Sequence, residues 1–206
     1  MPRTFAPDAL APDQALARLR DGNRRFVSGE GSAVRTWHPR LVEGQWPFAT
    51  ILACSDSRSP AEYVFDQGLG DLFVIRVAGN IVAPSLVGSV EYAASQFGTR
   101  LVVVMGHTQC GAVTATVRAI AHADAPESRN IRSIVDRIAP HVRDLCEQPL
   151  DDAVRIAEGV RVNALASARE LRSSSDILRN LVDKGRVVIV AAVYDLATGV
   201  VTFLEG

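Results

Sequence analysis

Cys54, Asp56 and Arg58 stand two apart in the stretch ILACSDSR, and His107 and Cys110 three apart in VVVMGHTQCG. Alternate side chains of an extended backbone project to one side. The first stretch therefore presents a thiol, a carboxylate and a guanidinium together. A spacing of three aligns side chains across one helical turn, which pairs the imidazole with the second thiol. Two thiolates and an imidazole suit zinc, at about 2.3 Å for sulfur and 2.0–2.1 Å for nitrogen, with a fourth place for water or for Asp56. Charge arithmetic separates those two occupants. Two thiolates already neutralise Zn²⁺, and a bound carboxylate would make the site anionic while filling the place water needs. A bidentate Arg58–Asp56 pair would hold the carboxylate off the metal and aim it at bound water. Asp56 thus reads as a switchable group, a ligand in a resting form and a hydrogen-bond acceptor in an active one.

Other chemistries fit less well. A closed structural zinc site usually pairs C-x₂-C elements in a small domain, and a chain of 206 residues needs no metal staple. A cysteine phosphatase loop places Arg six residues after Cys, where this chain has Pro60. Cys146 stands alone and reads as core packing. Three cysteines do not make a disulfide framework.

Both clusters fall where strands should end. PFATILAC is a short apolar run closing at Cys54, and RLVVVMG (100–106) closes before His107. DLFVIRVA (71–78) and RVVIVAAVYD (186–195) are similar runs, rich in β-branched residues. Helical patterns lie between them at 84–97, at 111–121 and in two long stretches between about 127 and 184. Continuous apolar strands alternating with helices predict a single α/β domain with a mainly parallel sheet covered on both faces. YDLATGVVTFLE adds a Thr-Gly turn and an antiparallel C-terminal edge strand. At the other end, Ala15, Leu16, Leu19 and Phe26 predict a helix over 11–28, with Pro12 and Asp13 in its first turn. An extended arm over 30–47 follows it. In open parallel sheets ligands bind beyond the carboxyl ends of strands, at a topological switch point, so the two clusters are expected to converge. Gly106 and Gly111 are expected to allow a tight turn and a close backbone approach.

The balance of 22 Lys+Arg against 23 Asp+Glu gives no reason to expect nucleic acid or an anionic membrane as partner. No apolar run approaches the roughly 20 residues that cross a bilayer. The first residues lack the continuous apolar stretch of a secretory signal. A cytoplasmic protein acting on a small molecule is the expectation.

At these residues the chain resembles the β-class carbonic anhydrases. C-x-D-x-R at Cys54–Arg58 and H-x-x-C at His107–Cys110 match the family motifs. So do LRDGNRRFV (19–27), FDQGLGDLFVIRVAGN (65–80), SVEYA (89–93) and YDLATGVVTF. The resemblance implies Cys54, His107 and Cys110 as zinc ligands, with Asp56 and Arg58 as the catalytic dyad. It implies reversible hydration of CO₂ to bicarbonate and a proton by a zinc-bound hydroxide. It further implies a homodimer or dimer of dimers whose pocket is built partly across the interface, with residues 1–47 packing on the partner. Gln45, Phe73, Ala78, Tyr92 and Gly111 match substrate-pocket positions. Ser59 and Ala78 stand where relatives carry Val, which would widen or wet the pocket. Ile51 stands where the bicarbonate-inhibited subgroup has Trp, which points to the plant-like, non-allosteric subgroup. Carbonyl sulfide or carbon disulfide hydrolysis on the same scaffold is the nearest alternative, and a zinc-storing protein that lost turnover a more distant one. His38, His122 and His141 are proton-carrier candidates by residue type only, each more naturally a surface residue.

Overall fold

The computed structural model describes residues 9–31, 37, 39–123, 126 and 128–205. Its first element is helix α1, Pro12–Ser28, with Pro at its amino end and Gly29 in the left-handed conformation as its cap. After the arm, with a short 3₁₀ turn at Pro39–Val42, come β1 (Ala49–Ala53), α2 (Ala61–Val64) and β2 (Leu72–Arg76). A 3₁₀ turn at Ala78–Asn80 leads to α3 (Pro84–Tyr92), β3 (Leu101–His107) and α4 (Gly111–Ala121). Then follow α5 (Arg129–Cys146), α6 (Asp152–Ser173), α7 (Asp176–Asp183), β4 (Val188–Tyr194) and β5 (Val201–Leu204).

The strands form one sheet in the order β2-β1-β3-β4-β5. The first four are parallel and β5 is antiparallel to β4, as the runs predicted. Every residue of β1 and β3 is buried, because helices cover both faces. Alternation sends Ile51, Val103 and Met105 into one core with Leu19 and Phe65. Leu52, Val102 and Val104 enter another with Leu171 and Leu178. From β1 the chain moves outward to β2, then returns to the far side of β1 as β3. The switch point therefore lies between β1 and β3, where both cysteine-bearing segments leave the sheet.

Two expectations change. The helix over 84–97 is α3 followed by a wider turn at Ala93–Phe97 that stops at left-handed Gly98; there Tyr92, Phe97 and Phe73 pack as an aromatic trio, with centroids 5.5–6.3 Å apart. The two long helices between 127 and 184 are three. Pro149 lies in the first break, and at the second the Ser175 hydroxyl accepts from the Leu178 amide at 3.0 Å and starts α7. The amino-terminal helix packs on its own sheet, with Ala15 and Leu19 fully buried. Gly22 lets it approach closely, since a Cβ there would lie 1.8 Å from the Phe65 carbonyl oxygen. Asn23 then donates to the Val64 and Gly199 carbonyls and accepts from Val201, tying α1 to α2 and to the β4–β5 hairpin. The arm behaves differently: Trp37 and Trp46 are 66% and 60% exposed.

Candidate metal centre

Cys54 follows the last residue of β1, His107 ends β3, and Cys110 precedes the first residue of α4. The turn between the last two is made by Gln109, not by a glycine, at φ 58°. All three side chains are buried, and their donor atoms lie within 4.8 Å of one another. The two sulfurs are 4.0 Å apart; the edge of a tetrahedron with metal–sulfur bonds of about 2.3 Å is about 3.8 Å. The His107 Nδ1–H donates to the Thr108 carbonyl at 2.9 Å, which leaves Nε2 a bare acceptor, buried and without a hydrogen-bond partner. An orphaned buried nitrogen beside two thiols is what a divalent cation would satisfy.

Electrostatics point the same way. The neighbouring Cys110 thiol, then His107 and the Gly79 and Asp56 amides, draw the Cys54 thiol well below its ordinary value against the cost of burial. The Cys54 thiolate and burial in turn push Cys110 far up. Without a cation the pair holds one proton; with a cation both sulfurs can ionise. Burial opposes charge on His107, but the Cys54 thiolate and Asp56 outweigh it and raise its pKa.

Asp56 faces this set, its Oδ2 being 3.8 Å from His107 Nε2. Arg58 holds both its oxygens: Nε and the backbone N–H donate to Oδ1, each at 2.9 Å, and Nη2 donates to Oδ2 at 2.8 Å. That fork keeps the carboxyl ionised far below the usual carboxylate range. Ser59 is 1% exposed and its hydroxyl donates to the Asp56 carbonyl at 3.1 Å. Ala78 is half-buried in the turn after β2. Gly111 opens α4, and a Cβ there would meet nothing within 4 Å, so no protein contact demands glycine. The close approach belongs to Gly106, where a Cβ would lie 3.3 Å from Val160.

Sequence spacing missed two groups. Arg76, the one charge in the apolar run of β2, donates through Nε to the Cys54 carbonyl at 3.0 Å and through Nη2 to the Asp56 carbonyl. The Gly79 amide donates to Cys54 Sγ at 3.3 Å. A lone arginine closing an apolar strand was the available signal for the first; the second had none.

Gln45, Phe73 and Tyr92 do not reach the cluster of their own chain. Gln45 is exposed and precedes β1 altogether. Phe73 pairs with Thr50, about 13 Å along the strand from Cys54. Tyr92 packs on Phe73 and is 55% exposed. His122 accepts the surface role expected of it, its Nε2 lying 2.7 Å from Asp152. His141 does not: its side chain is 15% exposed, and Nδ1 bonds to Asn163 at 2.9 Å. His38 lies outside the described residues. Cys146 is partly buried against the Val142 and Val160 cluster. Among the described residues no helix is long and apolar enough to cross a membrane.

Residues 49–201 match a family model described as carbonic anhydrase. A carbonic anhydrase of Mycolicibacterium smegmatis is 38% identical over 91% of each chain. Carbonic anhydrase 2 of Mycobacterium tuberculosis is 36% identical over 91% of this chain and 90% of its own. Among solved structures, a Coccomyxa β-carbonic anhydrase in complex with acetazolamide superposes at TM-score 0.72, with 23% identity over 92% of this chain and 86% of that one. A tetrameric β-carbonic anhydrase of Sordaria macrospora gives 0.71, with 22% identity over 82% and 85%. At those identities the structures speak for the fold.

Proposed function

On the premise that the chain belongs to the β-class carbonic anhydrase family, we propose that it hydrates CO₂ reversibly to bicarbonate and a proton, with zinc held by Cys54, His107 and Cys110. The observation that carries this reading is the convergence of those three buried donors at the switch point, with the Arg58-held carboxylate of Asp56 facing them. Zinc there supplies a Lewis acid that makes a water nucleophilic near neutral pH.

The chain's own residues do the rest. Asp56 is fixed as an anion and can only accept, so it orients a water or hydroxide whose proton it binds and turns the oxygen lone pair toward carbon. Arg58 keeps that carboxylate ionised and holds it off the metal; releasing the fork would let Asp56 become a fourth ligand, the resting form. Arg76 and Ser59 hold the backbone of the Cys54–Asp56 segment, so the dyad stays in register with the ligands. Two thiolates balance the divalent cation and Arg58 balances Asp56, which leaves a neutral pocket suited to an uncharged substrate.

A second copy of the chain completes the pocket. Phe73, on the edge strand β2, packs with Tyr92, and Gln45 is exposed in the arm that leads into β1; β2 has no outer neighbour among the described residues. Val42, Trp46 and Leu69 are also more than half exposed. Side chains that cannot reach their own cluster can reach a partner's when two such edges meet about a two-fold axis. Stopped-flow CO₂ hydration with metal analysis tests the reading. Zinc near one per chain with turnover lost on chelation is the expected result. Metal-free active protein, or turnover of carbonyl sulfide with none of CO₂, would overturn it.

A further inference from the structure

A line of hydrogen bonds runs from the Cys54 sulfur through the fold to His141 on α5. The Gly79 amide donates to Cys54 Sγ at 3.3 Å. The carbonyl of the same residue accepts from Asn163 Nδ2 at 2.9 Å. Asn163 lies on α6 and is 1% exposed. Its Oδ1 lies 2.9 Å from His141 Nδ1 on α5. With the amide nitrogen committed to Gly79, Oδ1 can only accept, so His141 carries its proton on Nδ1. His141 Nε2 then faces Glu170 Oε2 at 3.7 Å, near the surface.

Gly79 is held where few residues could go. Its φ is +71°, and a Cβ would lie 2.7 Å from Ile138 Cδ1 and 2.9 Å from Ala112 Cβ. Both its amide and its carbonyl are used, one on the sulfur and one on Asn163. The peptide plane on its amino side carries the N–H to the sulfur and the one on its carboxyl side carries the carbonyl to the asparagine; the two planes meet at the Gly79 Cα, and packing against Ile138 and Ala112 leaves that joint little room to absorb a turn of either. A buried amide side chain is costly unless satisfied, and three elements of the fold meet to satisfy this one.

We propose that Asn163, oriented by His141, is a positioning residue for the metal ligand Cys54. It locks the Gly79 turn so that its N–H stays on the sulfur, which drains charge from the thiolate and fixes its direction. The proposal rests on the zinc site proposed above. It assigns α5 and α6, which contribute no ligand, a part in setting the metal's properties.

The readout is the cobalt-substituted protein, whose sulfur-to-metal charge-transfer bands report charge on the thiolates, together with zinc affinity by chelator competition. Asn163→Ala and Asn163→Asp both lose the donor to Gly79. They are expected to move the bands to lower energy and to weaken zinc by about 10-fold or more. His141→Leu should shift the bands the same way by less, and His141→Gln, which keeps an N–H donor, should restore them. Folded Asn163 variants with wild-type bands and affinity would overturn the proposal, even if their melting temperature fell. If neither Asn163 variant folds, the His141 pair decides: a shift in His141→Leu reversed in His141→Gln supports the proposal, and a wild-type spectrum in His141→Leu overturns it. Wild-type protein that takes no cobalt through its thiols would instead remove the zinc site itself, and is seen before any variant is made.

Discussion

Asp56 carries two burdens that substitutions can separate. On the proposed reading it must face the metal donors, and it must remain an anion that Arg58 keeps from coordinating. Asp56→Asn keeps the shape, loses the charge and gains a donor where an acceptor is needed. It is expected to retain zinc while kcat/KM for CO₂ hydration falls by about 10²–10⁴-fold, the scale of a positioned acid–base group. Arg58→Lys keeps the charge but not the fork, since an ammonium cannot hold both oxygens as Nε and Nη2 do. Its carboxylate is free to bind metal, so its loss of turnover should come with a fourth non-water ligand in metal-edge spectra. Equal activity of Arg58→Lys and wild type would show that the bidentate hold is dispensable. The cysteine–histidine group and the Asp56–Arg58 pair were legible as candidates because their spacings are local, two or three residues in regular backbone. Arg76 and Gly79 sit 22 and 25 residues from Cys54, and only the pairing of β1 with β2 brings them to it. Spacing along the chain carries no trace of that.

At the scale of elements, the hairpin that closes the sheet rests on one carboxylate. Asp195 Oδ1 accepts from the Ala197 and Thr198 amides at 2.7 and 2.9 Å. Those amides hold its pKa below the ordinary 3.8. A folded-state pKa depressed in this way contributes stability that is present above the unfolded value and is lost as pH falls through the folded one. Asp195→Ala should lower stability at pH 7 by on the order of 1–2 kcal/mol. Asp195→Asn keeps an acceptor and should cost less. The gap between wild type and Asp195→Ala should narrow as pH drops below about 4, as denaturant titrations at several pH values will register. A gap independent of pH would mean that the carboxylate's charge plays no part. The strands were read correctly because a parallel sheet buried on both faces writes itself as unbroken apolar runs. Helix boundaries were only partly so: Pro149 marks the break at 147–151 between α5 and α6, whereas Ser174–Ser175 interrupts a pattern that stays helical in composition, and the α7 cap at Ser175 becomes visible only through its bond to Leu178. The turn after α3 owes its shape to the packing of Phe73, Tyr92 and Phe97, a tertiary cause that local preference does not encode.

For the whole molecule, the decisive question is whose pocket Gln45 serves. It lies before the amino end of β1, while Cys54 lies past the carboxyl end of the same strand, and a strand cannot fold back on itself to join them. If the pocket is shared across a two-fold axis, each site needs Asp56 from one subunit and Gln45 from the other. Gln45→Ala and Asp56→Ala homodimers should then both be poorly active. Co-expression of the two in equal amounts should make about half the dimers mixed. In each mixed dimer one site joins the intact Asp56 of one subunit to the intact Gln45 of its partner, while the other site carries both lesions. Activity should therefore recover to about one quarter of wild type, with a metal content unchanged from either parent. If Gln45 served its own chain, every site in the mixture would carry one lesion and no recovery would occur. Sedimentation at micromolar concentration should show a dimer or larger; a monomer that hydrates CO₂ at full rate would remove the shared pocket and leave the exposure of Trp46, Leu69 and Tyr92 without that use.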